Sequence, residues 1–247
     1  MMALRILGGS LVVVLPGLAW AADRGGSFAD SPIGLMFVLA ALSLLPFVLV
    51  TCTSFLKIAV VLSIVRNALG TPQVPPTTVV TGLAILLSAF IMAPTGSQVL
   101  REVRPILGQS AQAAATGRVD AMIEAAERAK EPLRAFMRRH ASPKDRATLV
   151  EMARRIRPPA ERSEVQENDF LVLAPAFVLT ELSEAFLIGF VLFVPFLVID
   201  MLVANLLLAL GMQMLSPNTV SLPFKLLLFV LVDGWRLLVQ GLVGGYL

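Results

Sequence analysis

The stretch Ser221–Arg236, SLPFKLLLFVLVDGWR, is apolar over most of its length yet carries Lys225, Asp233 and Arg236. A charge at the centre of a bilayer costs at least about 2.5–3.5 kcal/mol on insertion scales. A helix bearing three is easier to explain if it packs on protein or lines a watery path than if it faces lipid. At 100° per residue, Lys225, Asp233, Arg236 and Gln240 fall within an arc of about 80°. The spacing therefore predicts one polar stripe on an apolar helix. The alternative is that Lys225 and Arg236 snorkel to interfaces, which Asp233 is too short to do well. Gly241 and Gly245 add a small-xxx-small spacing that permits close helix contact.

The same pattern extends outward. From Phe170 to Leu247 the chain is apolar with charged interruptions, first Glu181 and Glu184, then Asp200. Hydrophobic residues make up 57% of the 247, and charged residues only 15%. A soluble domain carries about 25% charged residues, so the deficit places the chain in the membrane class. The net charge of +3 is mild and no Lys/Arg block suggests a nucleic-acid partner. With Cys52 the single cysteine and His140 the single histidine, no internal disulfide framework and no zinc ligand set can be assembled. Cys52, beside an apolar run, reads as a small buried hydrophobe. No metal site or cofactor is expected.

The first 21 residues read as a signal peptide: Arg5 in the n-region, a short apolar stretch Ile6–Leu18, and Ala19-Trp20-Ala21 as the cleavage pattern. Ile33–Val50 is an apolar run on the scale of a membrane span, with a kink expected at Pro46. A helix is expected over Thr51–Leu69, carrying Lys57 and Arg66 and ended by Gly70, Pro72, Pro75 and Pro76. A shorter run covers Val79–Pro94. Composition changes at Thr95, and 95–169 reads as a small helical domain outside the bilayer. There Val119, Met122, Ile123 and Ala126 fall at helical spacing. Pro132 is expected to open a new segment, and Ser142-Pro143 to cap a helix whose apolar face is Leu149, Met152 and Ile156.

The expected fold is an all-α integral membrane protein of about four long, partly broken hydrophobic helices with an inserted periplasmic helical domain. Its parts are 1–21, 22–94, 95–169 and 170–247. A signal peptide starts the chain outside. The positive-inside rule then puts Lys57 and Arg66 in the cytoplasm and lets the long 95–169 segment cross. Glu181 and Glu184 could be paired carboxylates for acid–base work, but no nucleophile, metal set or phosphate loop accompanies them. Two classes remain: a subunit of a protein-conducting or scaffold assembly, and a small-solute transporter. A transporter of the broken-helix kind would carry an internal inverted repeat, and none is seen.

Two blocks carry a family resemblance. Thr53-Ser54-Phe55-Leu56-Lys57-Ile58, Arg66-Asn67-Ala68-Leu69-Gly70 and Pro75-Pro76 form the first. Glu181-Leu182, Ile188-Gly189-Phe190, Pro195 to Asp200, Gly211-Met212-Gln213-Met214 and Ser221 to Trp235 form the second. Together they resemble the FliP/SctR family of type III secretion export-gate subunits, over about 33–94 and 170–240. Arg66–Gly70 and Leu215-Ser216-Pro217 look like the injectisome branch, and a signal peptide is commoner in the flagellar branch; the injectisome is favoured.

The resemblance implies a homo-oligomer, a pentamer, assembled with Q/S-type and R/T-type subunits around a channel for unfolded secreted proteins in the bacterial inner membrane. It implies that Lys57, Glu181, Glu184, Asp200, Lys225, Asp233 and Arg236 make inter-subunit contacts. It also implies a methionine-rich seal, for which this chain offers Met212 and Met214, with Gln213 where a third methionine is frequent. The alternative for these methionines is simple helix packing.

Overall fold

The structure, a computed structural model, describes residues 45–71, 75–110, 115–212 and 214–247, with Met36, Ala40 and Ser43; side chains over 107–123 are not included. The expected signal peptide, half of the Ile33–Val50 run, Gln213, and the side chains of Val119, Met122 and Ile123 lie outside the described residues; Pro46 is the second residue of a described helix, Leu45–Thr51.

Among the described residues, all regular structure is helical, as the sequence predicts. The elements are α1 (Leu45–Thr51), α2 (Phe55–Ala68), α3 (Thr77–Ser110), α4 (Ala115–His140), α5 (Pro143–Ile156), a 3-10 turn (Pro159–Glu164), α6 (Phe170–Ala209), α7 (Pro217–Leu231) and α8 (Gly234–Gly244). Two helices are long and apolar enough to cross a membrane, over Thr77–Ile106 and Phe170–Ala209; α7 and α8 make a third if their bent pair counts as one span. At 1.5 Å per residue the 40 residues of α6 extend about 60 Å, against roughly 30 Å of hydrocarbon.

Several expected breaks are absent. Glu181, Glu184 and Asp200 all sit inside continuous α6. α3 passes Thr95 with Pro94 and Pro105 in its interior, and α4 contains Pro132. A proline removes one backbone hydrogen bond, and a long helix can tolerate that loss. The change at Thr95 is one of solvation, not of backbone. Conversely, the helix expected from Thr51 begins at Phe55. The Thr51 and Thr53 hydroxyls donate to the carbonyls of Phe47 and Leu49, at 2.9 and 2.6 Å, and so satisfy the last turn of α1. Cys52 is buried, as expected of a small hydrophobe.

The chain divides into two compact units, one containing residues 92–180 with the described residues before Ser54, the other containing 54–91 and 181–247. In the first, Ser142 caps α5 as predicted: its Oγ accepts from Lys144 N at 3.3 Å, with Pro143 in the first turn. The Thr180 hydroxyl accepts from Ser142 N at 3.0 Å and donates to Asp145 Oδ2 at 2.7 Å. The apolar face of α5 differs from expectation. Val150 packs with Val165 and Val172, flanked by Leu149 and Ala153, while Met152 and Ile156 are exposed. Arg154 reaches back to the Val165 carbonyl, at 3.4 Å, which holds the following segment over the Val150 side instead.

The second unit is built around α2. Ile58, Val61, Leu62 and Val65 recur at the i, i+3, i+4, i+7 spacing of a buried helix face and pack on Val80, Ala84, Ala185, Phe196, Phe229, Leu238 and Leu242. At its start, buried Ser54 donates to Ser88 Oγ on α3 at 3.2 Å. At its end Gly70 takes φ +75, the left-handed stop the sequence predicts. Midway, α2 and α6 approach so closely that a Cβ on Gly189 would lie 2.5 Å from Ile64 Cδ1.

α7 and α8 meet at a 61° bend. Val232, which caps α7, and Asp233 form the joint, and the left-handed turn is at Asp233, with φ 52 and ψ 51. It ends α7, its N–H donating to Val230 O, and starts α8, its carbonyl accepting from Arg236 N and Leu237 N. A left-handed non-glycine residue costs about 1–2 kcal/mol, at the lower end for Asp. Gly234 follows because the Phe229 ring lies where its Cβ would be.

Gly189→Leu is therefore expected to lower stability by about 1–3 kcal/mol, through overpacking against Ile64. Thermal unfolding of the purified protein in detergent checks this, and Ile64→Ala should recover part of the loss.

Candidate functional site: two buried ion-pair clusters and the α6–α7 loop

Lys57 lies in the first turn of α2, only 2% exposed. A cation there opposes the helix dipole and has lost its water. Two carboxylates one turn apart on α6 compensate: Glu181, wholly buried, has Oε1 3.1 Å from Nζ, and half-exposed Glu184 has Oε2 at 2.6 Å. The Tyr246 hydroxyl donates to Glu181 Oε2, and its ring lies 4.3 Å beneath the Lys57 ammonium as a cation–π partner. Both carboxylates are thus committed to Lys57, which leaves the acid–base reading without a free pair.

The second cluster holds the other end of α2. Lys225 Nζ, on α7, donates to Asp200 Oδ2 at 2.6 Å and to the Ala68 carbonyl at 3.2 Å. That carbonyl belongs to the last turn of α2, where the dipole favours a cation. Ser221, one turn before Lys225, donates to Asp200 Oδ1 at 2.5 Å. A Cβ on Gly70 would lie 3.7 Å from the same ammonium. The sequence of contacts along α2 (Lys57, Ile64, Ala68) follows that along α6 (Glu181, Gly189, Asp200). The two helices therefore run in the same direction with an ion pair near each end.

The single polar stripe does not exist. The bend at Asp233 separates buried Lys225 from Asp233 and Arg236, which are exposed and 3.8 Å apart. The 100° periodicity fails once a residue leaves the helical region. Snorkelling does not describe Lys225 either, since its ammonium points into protein. Gln240 is exposed, and nothing lies within 4 Å of a Cβ placed on Gly241. Of the seven charged residues singled out by sequence, five meet buried partners within the chain; Asp233 and Arg236 meet only each other. Tyr246, Ser221, Ser54 and Ser88 were not singled out. Tyr246 carried one available clue, being the chain's single tyrosine.

The α6–α7 loop begins with Gly211 at φ +72. Met212 N bonds to Leu207 O and Gly211 N to Leu208 O, the pattern of a Schellman stop. Met212 and Met214 are both exposed, Met214 at 99%. A thioether so placed fills no gap within this chain. The packing alternative for Met214 therefore does not hold inside the subunit.

The family model described as FliP family matches residues 38–242. The chain is 42% identical to the hypersensitivity response secretion protein HrcR of Ralstonia nicotianae, over 86% of this chain and 96% of that one. It is 41% identical to the Yop proteins translocation protein R of Yersinia pestis, over 87% and 96%. It is 40% identical to the flagellar biosynthetic protein FliP of Bacillus subtilis, over 88% and 93%.

Lys57→Met leaves Glu181 buried without its cation and is expected to cost about 3–5 kcal/mol. Tyr246→Phe keeps the ring but loses a hydrogen bond to a charged group, and should cost about 1.5–3 kcal/mol. Arg236→Met, at an exposed pair, should change stability by less than about 0.5 kcal/mol. Detergent melting curves of the three variants check the order.

Proposed function

The chain belongs to the FliP family, and we propose that it is a core subunit of a type III secretion export gate, on the injectisome branch. The observation that carries this reading is identity above 40% along almost the full length of injectisome relatives such as HrcR and the Yop translocation protein R. The quoted Arg66–Gly70 and Leu215-Ser216-Pro217 strings point the same way. The flagellar reading is the alternative, favoured by the 40% identity to flagellar FliP. Deleting the gene should abolish effector secretion and leave motility intact. Lost motility with intact effector secretion would move the assignment to the flagellar branch.

In this reading the subunit sits in the inner membrane as a multi-pass protein. It forms a pentamer with Q/S-type and R/T-type subunits, and the 95–169 segment lies on the periplasmic side. Lys57, Glu181, Asp200 and Lys225 fix the shape of each protomer. Half-exposed Glu184 and exposed Asp233 and Arg236 are the charges left to meet a neighbouring subunit. Broad exposed apolar surface on α6 and α7, such as Phe186, Phe190, Leu202 and Leu227, suits both lipid and subunit packing.

Met212, Gln213 and Met214 would close the channel. Flexible thioethers can pack against their symmetry mates at rest and yield to a passing chain at low rotameric cost. Met212→Ala with Met214→Ala should leave assembly intact and raise ion leakage. Planar-bilayer conductance of the purified complex measures this. A normally assembled double mutant no leakier than wild type would place the gate elsewhere.

A further inference from the structure

We propose that Asp233–Gly234 is a working hinge, about which α7 moves as an arm carrying the Gly211–Ser216 loop. The inference rests on the gate reading of that loop for its consequence, though not for the motion itself.

The joint has three features. Asp233 is the one non-glycine residue at positive φ among the described residues, and nothing but a long, exposed contact to Arg236 holds its side chain. The bend turns within this residue, which serves both helices at once. An apolar cavity of about 170 Å³ lies against it, lined by Val65, Leu192, Phe196, Phe229, Val232 and Leu238 among others. It is a half-open groove, so the protomer itself does not fill the space on that side of the joint. The backbone is strained at this joint, so the cost of a pivot lies chiefly in releasing the Lys225 and Ser221 contacts to Asp200.

The sequence on both sides is also compatible with a straighter form. Residues 217–244 contain no proline after Pro223, and apolar residues run through the joint. The bend is imposed by one dihedral pair, not by a helix-breaking segment.

Leverage follows from length. The 15 residues of α7 make an arm of about 22 Å, so each 10° of rotation moves its loop end by about 4 Å. In the bent form, Lys225 and Ser221 tie this arm to Asp200 and to the end of α2. They act as the latch, and the pivot lies two turns beyond.

Spin labels at exposed Thr219 and Gln240, in the full gate complex with Cys52→Ser, test the proposal by double electron–electron resonance. Full straightening would lengthen this distance by about 4 Å at 1.5 Å per residue. Asp233→Gly relieves the left-handed strain and should sharpen the distribution at the short distance. Asp233→Leu disfavours that conformation and should shift population to the longer one. The same distribution in both variants would overturn the hinge. Conductance of the same samples addresses the gate separately. A population shift without a change in leak would leave the hinge standing and remove the loop from the gate.

Discussion

Burying a charge in an apolar bundle is costly unless an opposite charge is buried with it. The second compact unit is arranged around that constraint at both ends of one short helix. Lys57 enters α2 in its first turn, against the dipole, and is stable there because two carboxylates and an aromatic face surround it. Lys225 arrives at the last turn, with the dipole, and brings Asp200 and Ser221 with it. Between the clusters, Gly189 lets α6 lie close to Ile64. Segments distant in sequence are thereby fixed in register as well as in contact. Apolar packing alone could slide by a turn, whereas an ion pair that slides leaves a stranded charge.

This arrangement explains why the charged interruptions do not interrupt. Glu181, Glu184 and Asp200 leave α6 continuous because their side chains turn toward α2 and α7 rather than toward lipid. The same arrangement leaves the α6–α7 loop outside the core. Met214 stands clear of the protomer's own packing, while Met212 is half-exposed. For the proposed gate, rigid anchoring of α2 would supply the frame against which an exposed loop deforms.

Much of this was legible in the sequence. The all-helical class follows from the apolar runs. The cost of intramembrane charge singled out Glu181, Asp200 and Lys225, the family resemblance added Lys57, and Ser142-Pro143 marked the start of α5. What was not legible depended on tertiary contact. Periodicity placed Lys225 and Arg236 on one stripe because it cannot see that Asp233 adopts a left-handed conformation. Leu149, Met152 and Ile156 gave a plausible face, but Arg154 and Val165 chose the Val150 side. Prolines 94 and 132 looked like boundaries, since a proline announces a missing hydrogen bond and not whether the surrounding helix survives it. Tyr246 could be found only once the end of α8 was seen beside Glu181.

Ion pairs within the chain, and not solvation of separate charges, hold the two ends of α2 in place. A double-mutant cycle at Asp200 and Lys225 tests it most directly, by unfolding Asp200→Leu, Lys225→Met and the double variant beside wild type. Each single change leaves one charge buried alone, so the double variant should lose about 1–3 kcal/mol less than the sum of the two single losses. Losses that simply add, with no coupling, would mean that the two residues are separately solvated and that their ion pair does not hold the end of α2.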